Sequence, residues 1–284
     1  MRGKAAGAVL ITGCSSGIGY ACAQGLARRG YRVIASARRA EDVARLAAEG
    51  LTAVRLDLDD SASIQAAVED SLTLTGGRVF ALFNNGAYGQ PGAVEDLSRA
   101  VLRAQLETNL LGWHELTCRL LPHMRAQGYG RIVQNSSVLG LVAFAYRGAY
   151  VASKFALEGL TDTLRLELAG SGIAVSLIEP GPIESRFRAN AHARFLAHID
   201  AEASPHRNAY RAQEARLLTE GPAAPFTLPP EAVLRALLHA LESRRPKPRY
   251  YVTVPTQVFG ALRRVLSTRA LDWLLARASG GGTR

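Results

Sequence analysis

The stretch Ala8-Val9-Leu10-Ile11-Thr12-Gly13-Cys14-Ser15-Ser16-Gly17-Ile18-Gly19 holds the decisive pattern of this chain. An uncharged run rich in β-branched residues reads as a buried strand, and it opens through glycines into a helical stretch from Gly17 to Arg29. In that order the helix's first turn offers unpaired N–H groups and partial positive charge, while the glycines let the backbone approach a pyrophosphate. Gly13, Ser15, Ser16, Gly17, Ile18 and Gly19 are therefore the expected phosphate cradle. Arg2 and Lys4 ahead of Ala5 to Thr12 mimic a signal peptide, but the apolar run is short and leads straight into the turn. It is read as a first strand.

Outward from this unit, short β-branched runs alternate with longer amphipathic stretches, the pattern of strand-helix-strand units on a parallel sheet. Strands are expected at 8–12, 31–36, 52–56, 79–84, 130–135, 174–178 and 250–253, and helices at 17–29, 40–49, 61–74, 99–127, 149–168 and 230–242. Residues 184–228 break the rhythm and read as a helical insertion at the sheet's mouth, in the manner of a substrate lid. A tail over 255–278 reads as two short helices. The expectation is one α/β, doubly wound domain over 1–284, with a seven-stranded parallel sheet flanked by helices.

With 284 residues, 48% hydrophobic and 20% charged, the chain can bury a large core. It has no apolar run of the roughly eighteen residues a membrane-spanning helix needs. Cys14, Cys22 and Cys118 are scattered and odd in number, which fits free thiols in a reducing, cytoplasmic compartment. The net charge of +10 is concentrated in the tail, where residues 244–284 hold nine Arg or Lys against the single Asp272. No helix-turn-helix or zinc-finger pattern accompanies it, so no nucleic acid is expected. The six histidines lack ligand spacing, and no metal is expected.

The second strand ends Ile34-Ala35-Ser36-Ala37-Arg38-Arg39, where a dinucleotide fold addresses the adenosine ribose. An acidic residue there would bond the 2′-hydroxyl of NAD, whereas Arg38 and Arg39 suit a 2′-phosphate, so NADP (NADPH) is favoured over NAD. A second signal is Tyr150-x3-Lys154, in a chain with only three lysines against thirty-one arginines. With nine tyrosines such a pair is expected by chance only about 0.1 times. Four residues apart on a helix, an ammonium can favour the phenolate and bring an ordinarily high pKa toward the working range. Tyr150 is thus a candidate acid/base.

Thr12-Gly13-x3-Gly17-x-Gly19, Asp57, Asn84-Asn85-Gly86-Ala87, Asn109, Ser137, Tyr150-x3-Lys154 and Pro180-Gly181 occur in an order and spacing that resembles the short-chain dehydrogenase/reductase family, over residues 8 to 190. The resemblance implies a Rossmann-type fold and a catalytic set of Asn109, Ser137, Tyr150 and Lys154. Tyr150 would exchange a proton with the substrate oxygen, and Ser137, rather than adjacent Ser136, would bond the same oxygen. Lys154 would lower the tyrosine's pKa and hold the nicotinamide ribose, and Asn109 would hold a water linking Lys154 to solvent. Asp57 and Leu58 would border the adenine, Asn85 and Gly86 the adenosine ribose, and Pro180, Gly181, Ile183 and Ser185 the nicotinamide. Two departures stand out. Asn84-Asn85-Gly86-Ala87 replaces the family's Asn-Asn-Ala-Gly, which suggests altered torsions, and Ser185 stands where a threonine is common.

Leu139, Leu141, Val142, Phe144 and Tyr146 precede Tyr150, and Phe187 and Phe195 lie in the insertion. Leu139, Phe144, Tyr146, Phe187 and Phe195 are the expected walls of a pocket for a hydrophobic aldehyde, ketone or alcohol. Within the family this arrangement most resembles bacterial NADP-dependent aldehyde reductases and hydroxysteroid and retinol dehydrogenases. The alternatives are NAD-dependent oxidation of a sterol, retinol-like or 3-hydroxyacyl alcohol, and a non-catalytic nucleotide sensor. The family likeness also implies a homodimer or homotetramer built on the helices at 99–127 and 149–168. The basic tail with Trp273, Phe259 and several leucines can cap the cavity, cover a neighbouring subunit or make a peripheral membrane contact.

Overall fold

The computed structural model describes residues 7–278 apart from Glu220 and Ala223. Arg2, Lys4 and Arg284, which entered the reading of both termini, and Glu220 and Ala223 of the insertion lie outside the described residues. The strands are β1 (Ala8–Ile11), β2 (Val33–Ala37), β3 (Thr52–Arg55), β4 (Val79–Asn84), β5 (Gly130–Asn135), β6 (Ile173–Glu179) and β7 (Arg249–Tyr251). They form one seven-stranded sheet in the order β3-β2-β1-β4-β5-β6-β7. Every pairing is parallel. This is the doubly wound α/β architecture that the alternating pattern predicts. The chain reverses its direction of sheet growth between β1 and β4, and in such sheets ligands bind beyond the strands' carboxyl ends at that point.

Buried strands β1, β2 and β4 read as continuous apolar runs because both faces are covered. On one face, Val9, Ile11, Phe80 and Phe83 pack with Leu26 from the helix Gly17–Ala27 and with Val233 and Leu237 from the helix Glu231–Glu242. On the other, Leu10, Ile34, Leu82 and Ile132 pack against Ile64, Trp113, Leu116 and Leu157. Local signals set the helix limits. Asp60 accepts a hydrogen bond from the Ala62 N–H at the start of Ser61–Thr75, and Gly76 ends that helix in the left-handed region at φ +63°.

Two expectations are corrected. The single helix expected over 99–127 is divided into Arg99–Leu106, a π-helical turn Glu107–Leu111 and Gly112–Gln127. Just after the turn, Gly112 passes close to the chain following β3, where a Cβ would meet the Leu58 carbonyl oxygen at 2.1 Å. The last strand ends at Tyr251, earlier than expected, because Thr253 caps a helix Val254–Val265 that takes Pro255 in its first turn. The insertion holds two helices, Phe187–His198 and Arg207–Leu218, and an Ile183–Leu228 bridge closes its base. No helix among the described residues is long and apolar enough to cross a membrane.

Candidate active site

At the end of β1 the chain turns through Gly13 (φ +71°) and Gly17 (φ +58°) into the helix Gly17–Ala27. A Cβ on Gly13 would lie 2.5 Å from the Gly86 Cα, and one on Gly19 would lie 2.2 Å from the Gly13 oxygen. Only glycine fits either position. Ser16 precedes the helix in extended conformation but makes no side-chain cap, so the first-turn N–H groups are left for another acceptor. Arg45 braces the loop by donating to the Ser15 carbonyl at 2.7 Å. Thr12 Oγ1 accepts from both the Asn85 and Gly86 N–H groups at 2.8 Å, joining the cradle to the end of β4. Gly86 does not take a positive φ, so the exchanged Gly86-Ala87 order introduces no special torsion. These features fit a dinucleotide phosphate.

At the end of β2 the two arginines differ. Arg39 pairs with Glu41 and Asp42 at 3.4 and 3.3 Å, while the exposed Arg38 guanidinium has no recorded partner among the described residues. After β3, the Asp57 N–H donates to Ser63 Oγ, its carboxylate accepts from the Asp59 N–H, and Leu58 is buried. After β6, the Pro180 carbonyl accepts from the Val138 N–H at 2.8 Å, which ties that loop to the residues following Ser137. A Cβ on Gly181 would meet Thr253 Oγ1 at 2.2 Å. Ser185 lies over the cradle, its Cβ 3.1 Å from where a Gly17 Cβ would stand, and its hydroxyl accepts from the Phe187 N–H.

Tyr150 and Lys154 stand one turn apart on the helix Gly148–Glu167. Burial pushes the Tyr150 phenol up to about 12, while the nearby Ser137 hydroxyl favours its ionised form. Lys154 is also buried. Its Nζ donates to the Asn135 carbonyl at 2.8 Å and lies 4.1 Å from the Trp113 ring centre, against 5.7 Å from that of Tyr150. Burial brings Lys154 down to about 7, with the charge of Glu158 opposing. Burial is thus the main influence on both groups in the folded chain, and Lys154 is directed at Asn135 and Trp113.

Asn109 lies in the π-helical turn, and its amide grips Tyr88 from both sides, donating to the carbonyl at 2.8 Å and accepting from the N–H at 3.2 Å. Its second donor reaches Ser153 Oγ at 3.3 Å, which leaves neither N–H free. Behind the catalytic helix, Arg249 binds Glu158, Glu179 (2.7 Å) and Asp162 (2.6 Å). Ser136 faces Glu158, away from the Tyr150 phenol. The site also draws on Arg45, Trp113, Asn135, Glu158 and Arg249, which the sequence did not single out. Each acts through a contact distant in the chain, so no local spacing marks it.

Tyr150 forms one wall of a cavity of about 150 Å³. Leu139, Tyr146 and Phe187 line it as expected, together with Gly89, Leu217 and the unanticipated Gln90, Arg147, Arg188 and Arg216. Phe144 and Phe195 do not line it. Phe144 packs edge-on against Phe259, and Phe195 is buried against Tyr210, Ile199 and Ala93, so both serve to dock helices. Tyr146 holds a left-handed φ of +62°, which costs a residue with a Cβ about 1–2 kcal/mol. Its carbonyl is tied to the Gly92 N–H at 3.0 Å and the next residue, Arg147, bridges Gly92, so surrounding structure maintains the conformation.

The family model for short chain dehydrogenase matches residues 7–194. The chain is 44% identical to the uncharacterized oxidoreductase YbbO of Escherichia coli K12, covering 94% of this chain and 93% of that one. It is 32% identical to human retinol dehydrogenase 8, over 93% of this chain and 86% of that protein. A short chain dehydrogenase/reductase from Burkholderia phymatum, solved in complex with NAD, superposes with a TM-score of 0.76 at 28% identity, covering 94% of each chain. The chain belongs to the short-chain dehydrogenase/reductase family of NAD(P)-dependent oxidoreductases.

Proposed function

We propose that the chain is a single oxidoreductase unit that interconverts a hydrophobic aldehyde or ketone with its alcohol, using NADP. One observation carries this reading: the Tyr150 phenol, with the Ser137 hydroxyl near it, forms the wall of a largely apolar cavity beyond the glycine cradle. Gly13, Ser15, Ser16, Gly17, Ile18 and Gly19 would hold the phosphates, and Arg38 the 2′-phosphate. Asp57, Leu58, Asn85 and Gly86 would border the adenosine, and Pro180, Gly181, Ile183 and Ser185 the nicotinamide. When bound, the nucleotide supplies or accepts the hydride.

The protein's own residues handle the proton and the geometry. Tyr150 is protonated at neutral pH, as a donor to a carbonyl oxygen must be, and Ser137 can stabilise the phenolate as the proton leaves. Lys154, about half charged near pH 7, can return a proton toward the phenol's end of the helix. Asn109 braces the Tyr88 loop that borders the cavity. Phe187, on the first insertion helix, covers Tyr150 and supports a lid role for 184–228.

NADPH oxidation over a panel of medium-chain aldehydes, aromatic ketones, steroids and retinal tests the reading. Tyr150→Phe should lose turnover by about 10²–10⁴-fold while keeping NADPH binding. Unchanged turnover would overturn Tyr150 as the proton donor, whereas NADPH binding with no turnover of any carbonyl would favour a nucleotide sensor. A second reading, NAD-dependent oxidation of a retinol-like or sterol alcohol, draws on the likeness to human retinol dehydrogenase 8 and to the NAD-bound Burkholderia protein. The free thiols fit a cytoplasmic location, and exposed Phe155, Leu160 and Leu166 on the catalytic helix support a homodimer or homotetramer. The tail helices pack Leu271 and Leu275 against Leu139 and Val142, which supports a cavity cap over a peripheral membrane contact.

A further inference from the structure

The cavity beside Tyr150 has apolar walls but an uncompensated charge. Arg147, Arg188 and Arg216 all line it, and its lining contains no carboxylate among the described residues. Elsewhere a half-buried arginine is neutralised, as Arg249 is by Glu158, Glu179 and Asp162. The three cavity arginines differ in what they have left to give. Arg188 spends its donors on the carbonyls of Arg216, Thr219 and Gly221. The Arg216 Nε is buried without a partner, and among the described residues the Arg147 guanidinium makes no hydrogen bond or ion pair, lying against the Phe144 ring at 5.2 Å. Glu214, the nearest acidic residue in sequence to Arg216 on the same helix, is engaged with His192 at 2.8 Å.

Like charges gathered in a dry site repel one another. Burial lowers Arg147 to about 9, and the charge of Arg216 adds to that, while Arg188 does the same to Arg216. Holding guanidinium groups this way is unfavourable unless an anion joins them, and a guanidinium is the side chain best matched to a planar carboxylate. The strained Tyr146 backbone delivers Arg147 to this wall. Gln90 and Gln213 add neutral donors at the same wall. Arg38 cannot account for the cluster's purpose, because it follows β2, whereas Tyr150 lies on the helix after β5.

We propose that this cavity takes a carbonyl compound carrying a carboxylate on a short apolar stem, with Arg147 and Arg216 as the anchors for the carboxylate. The proposal rests on Tyr150 being the proton donor to the carbonyl, and it narrows the substrate from hydrophobic to anionic-amphipathic. It is tested on the full chain with levulinate and para-acetylbenzoate, each against its own methyl ester. Binding is read first, without turnover, from the shift in melting temperature. Steady-state kinetics with NADPH follow.

The acids should raise the melting temperature where the esters do not, and at least one acid should show a KM about tenfold below that of its ester. Both preferences should shrink toward equality in Arg216→Gln and Arg147→Gln. Equal shifts and equal KM values for acid and ester overturn the proposal, as does a preference that persists in both variants. If either variant fails to fold, the comparison of acid with ester in the unsubstituted protein still decides. An acid-specific shift with no reduction of any carbonyl would uphold the anion site while overturning the assignment of Tyr150.

Discussion

Phe187 stands edge-on to Tyr150, with ring centres 5.3 Å apart and planes inclined at 67°. Phe187 begins the first insertion helix and Tyr150 lies on the helix after β5, so one contact joins the insertion to the phenol. Phe187 also fills the space beside Gly89, where a Cβ would come within 2.8 Å of its ring. Burial is the main cause of the raised Tyr150 pKa, and this ring supplies part of that burial. Phe187→Ala should lower kcat/KM for a hydrophobic aldehyde about tenfold through lost apolar contact. It should also move the alkaline limb of the reduction profile to lower pH, since a hydrated phenol ionises nearer its ordinary value. A pH series of kcat/KM for both proteins checks this, and an unmoved limb would contradict it.

Lys154 yields a prediction about stability as well as rate. Its pKa falls from 10.5 to about 7 in the folded chain, so between those values the unfolded chain binds more protons. Stability contributed by this residue must then rise with pH from about 7 to about 10, by up to about 1.4 kcal/mol per pH unit. Lys154→Met removes that slope, and its stability relative to the parent should be greatest at or below pH 7 and should decline as pH rises. Urea unfolding at a series of pH values measures the difference. Turnover should be lost in the same variant.

The two arginines after β2 should separate in their effects. Arg39 is engaged by Glu41 and Asp42, whereas Arg38 has no recorded partner and is exposed. Arg38→Asp should weaken NADPH binding relative to NADH by about 100-fold, while Arg39→Ala changes the ratio by less than about threefold. Fluorescence titration with both nucleotides reads this directly. A retained NADPH preference in Arg38→Asp would remove the basis for choosing NADP.

Arg249 anchors β7 to the catalytic helix through Glu158 and Asp162, and to the end of β6 through Glu179. Burial raises Glu179 to about 8, with the neighbouring charge of Glu158 adding to it and Arg249 opposing. Because the folded form holds this proton more tightly than the ordinary value of 4.5, its contribution to stability is present below about pH 4.5 and declines as pH rises toward 8. Arg249→Met leaves buried carboxylates without their cation and should cost about 3–5 kcal/mol at neutral pH. The deficit should narrow in mildly acid solution, where Glu158 and Glu179 take up protons. Thermal unfolding across pH measures both effects, and a pH-independent deficit would argue against carboxylate repulsion as its cause.

Much of the fold was legible in local patterns. The strand-turn-helix at Ala8 to Gly19 and the alternation after it specify a parallel, doubly wound sheet, because buried strands need apolar runs and the glycine turn needs residues without a Cβ. Tyr150, Lys154 and Ser137 were legible for a similar reason, since helical spacing and a strand end confine where their side chains can be. The π-helical turn at Glu107–Leu111 was hidden, as was the close approach of Gly112 to Leu58 from another element.

The state of the site's charges depended on tertiary packing. Lys154 could be expected beside Tyr150, but only the fold directs its ammonium to Asn135 and Trp113 and buries it. Arg147, Arg188 and Arg216 are unremarkable among thirty-one arginines until the insertion folds back and brings them to one cavity. Residue type and spacing determined the scaffold and marked Tyr150 and Lys154 as candidate reacting groups, because those follow from short-range geometry. Tertiary contacts alone decided solvation and charge pairing, because each depends on which distant segments surround a group.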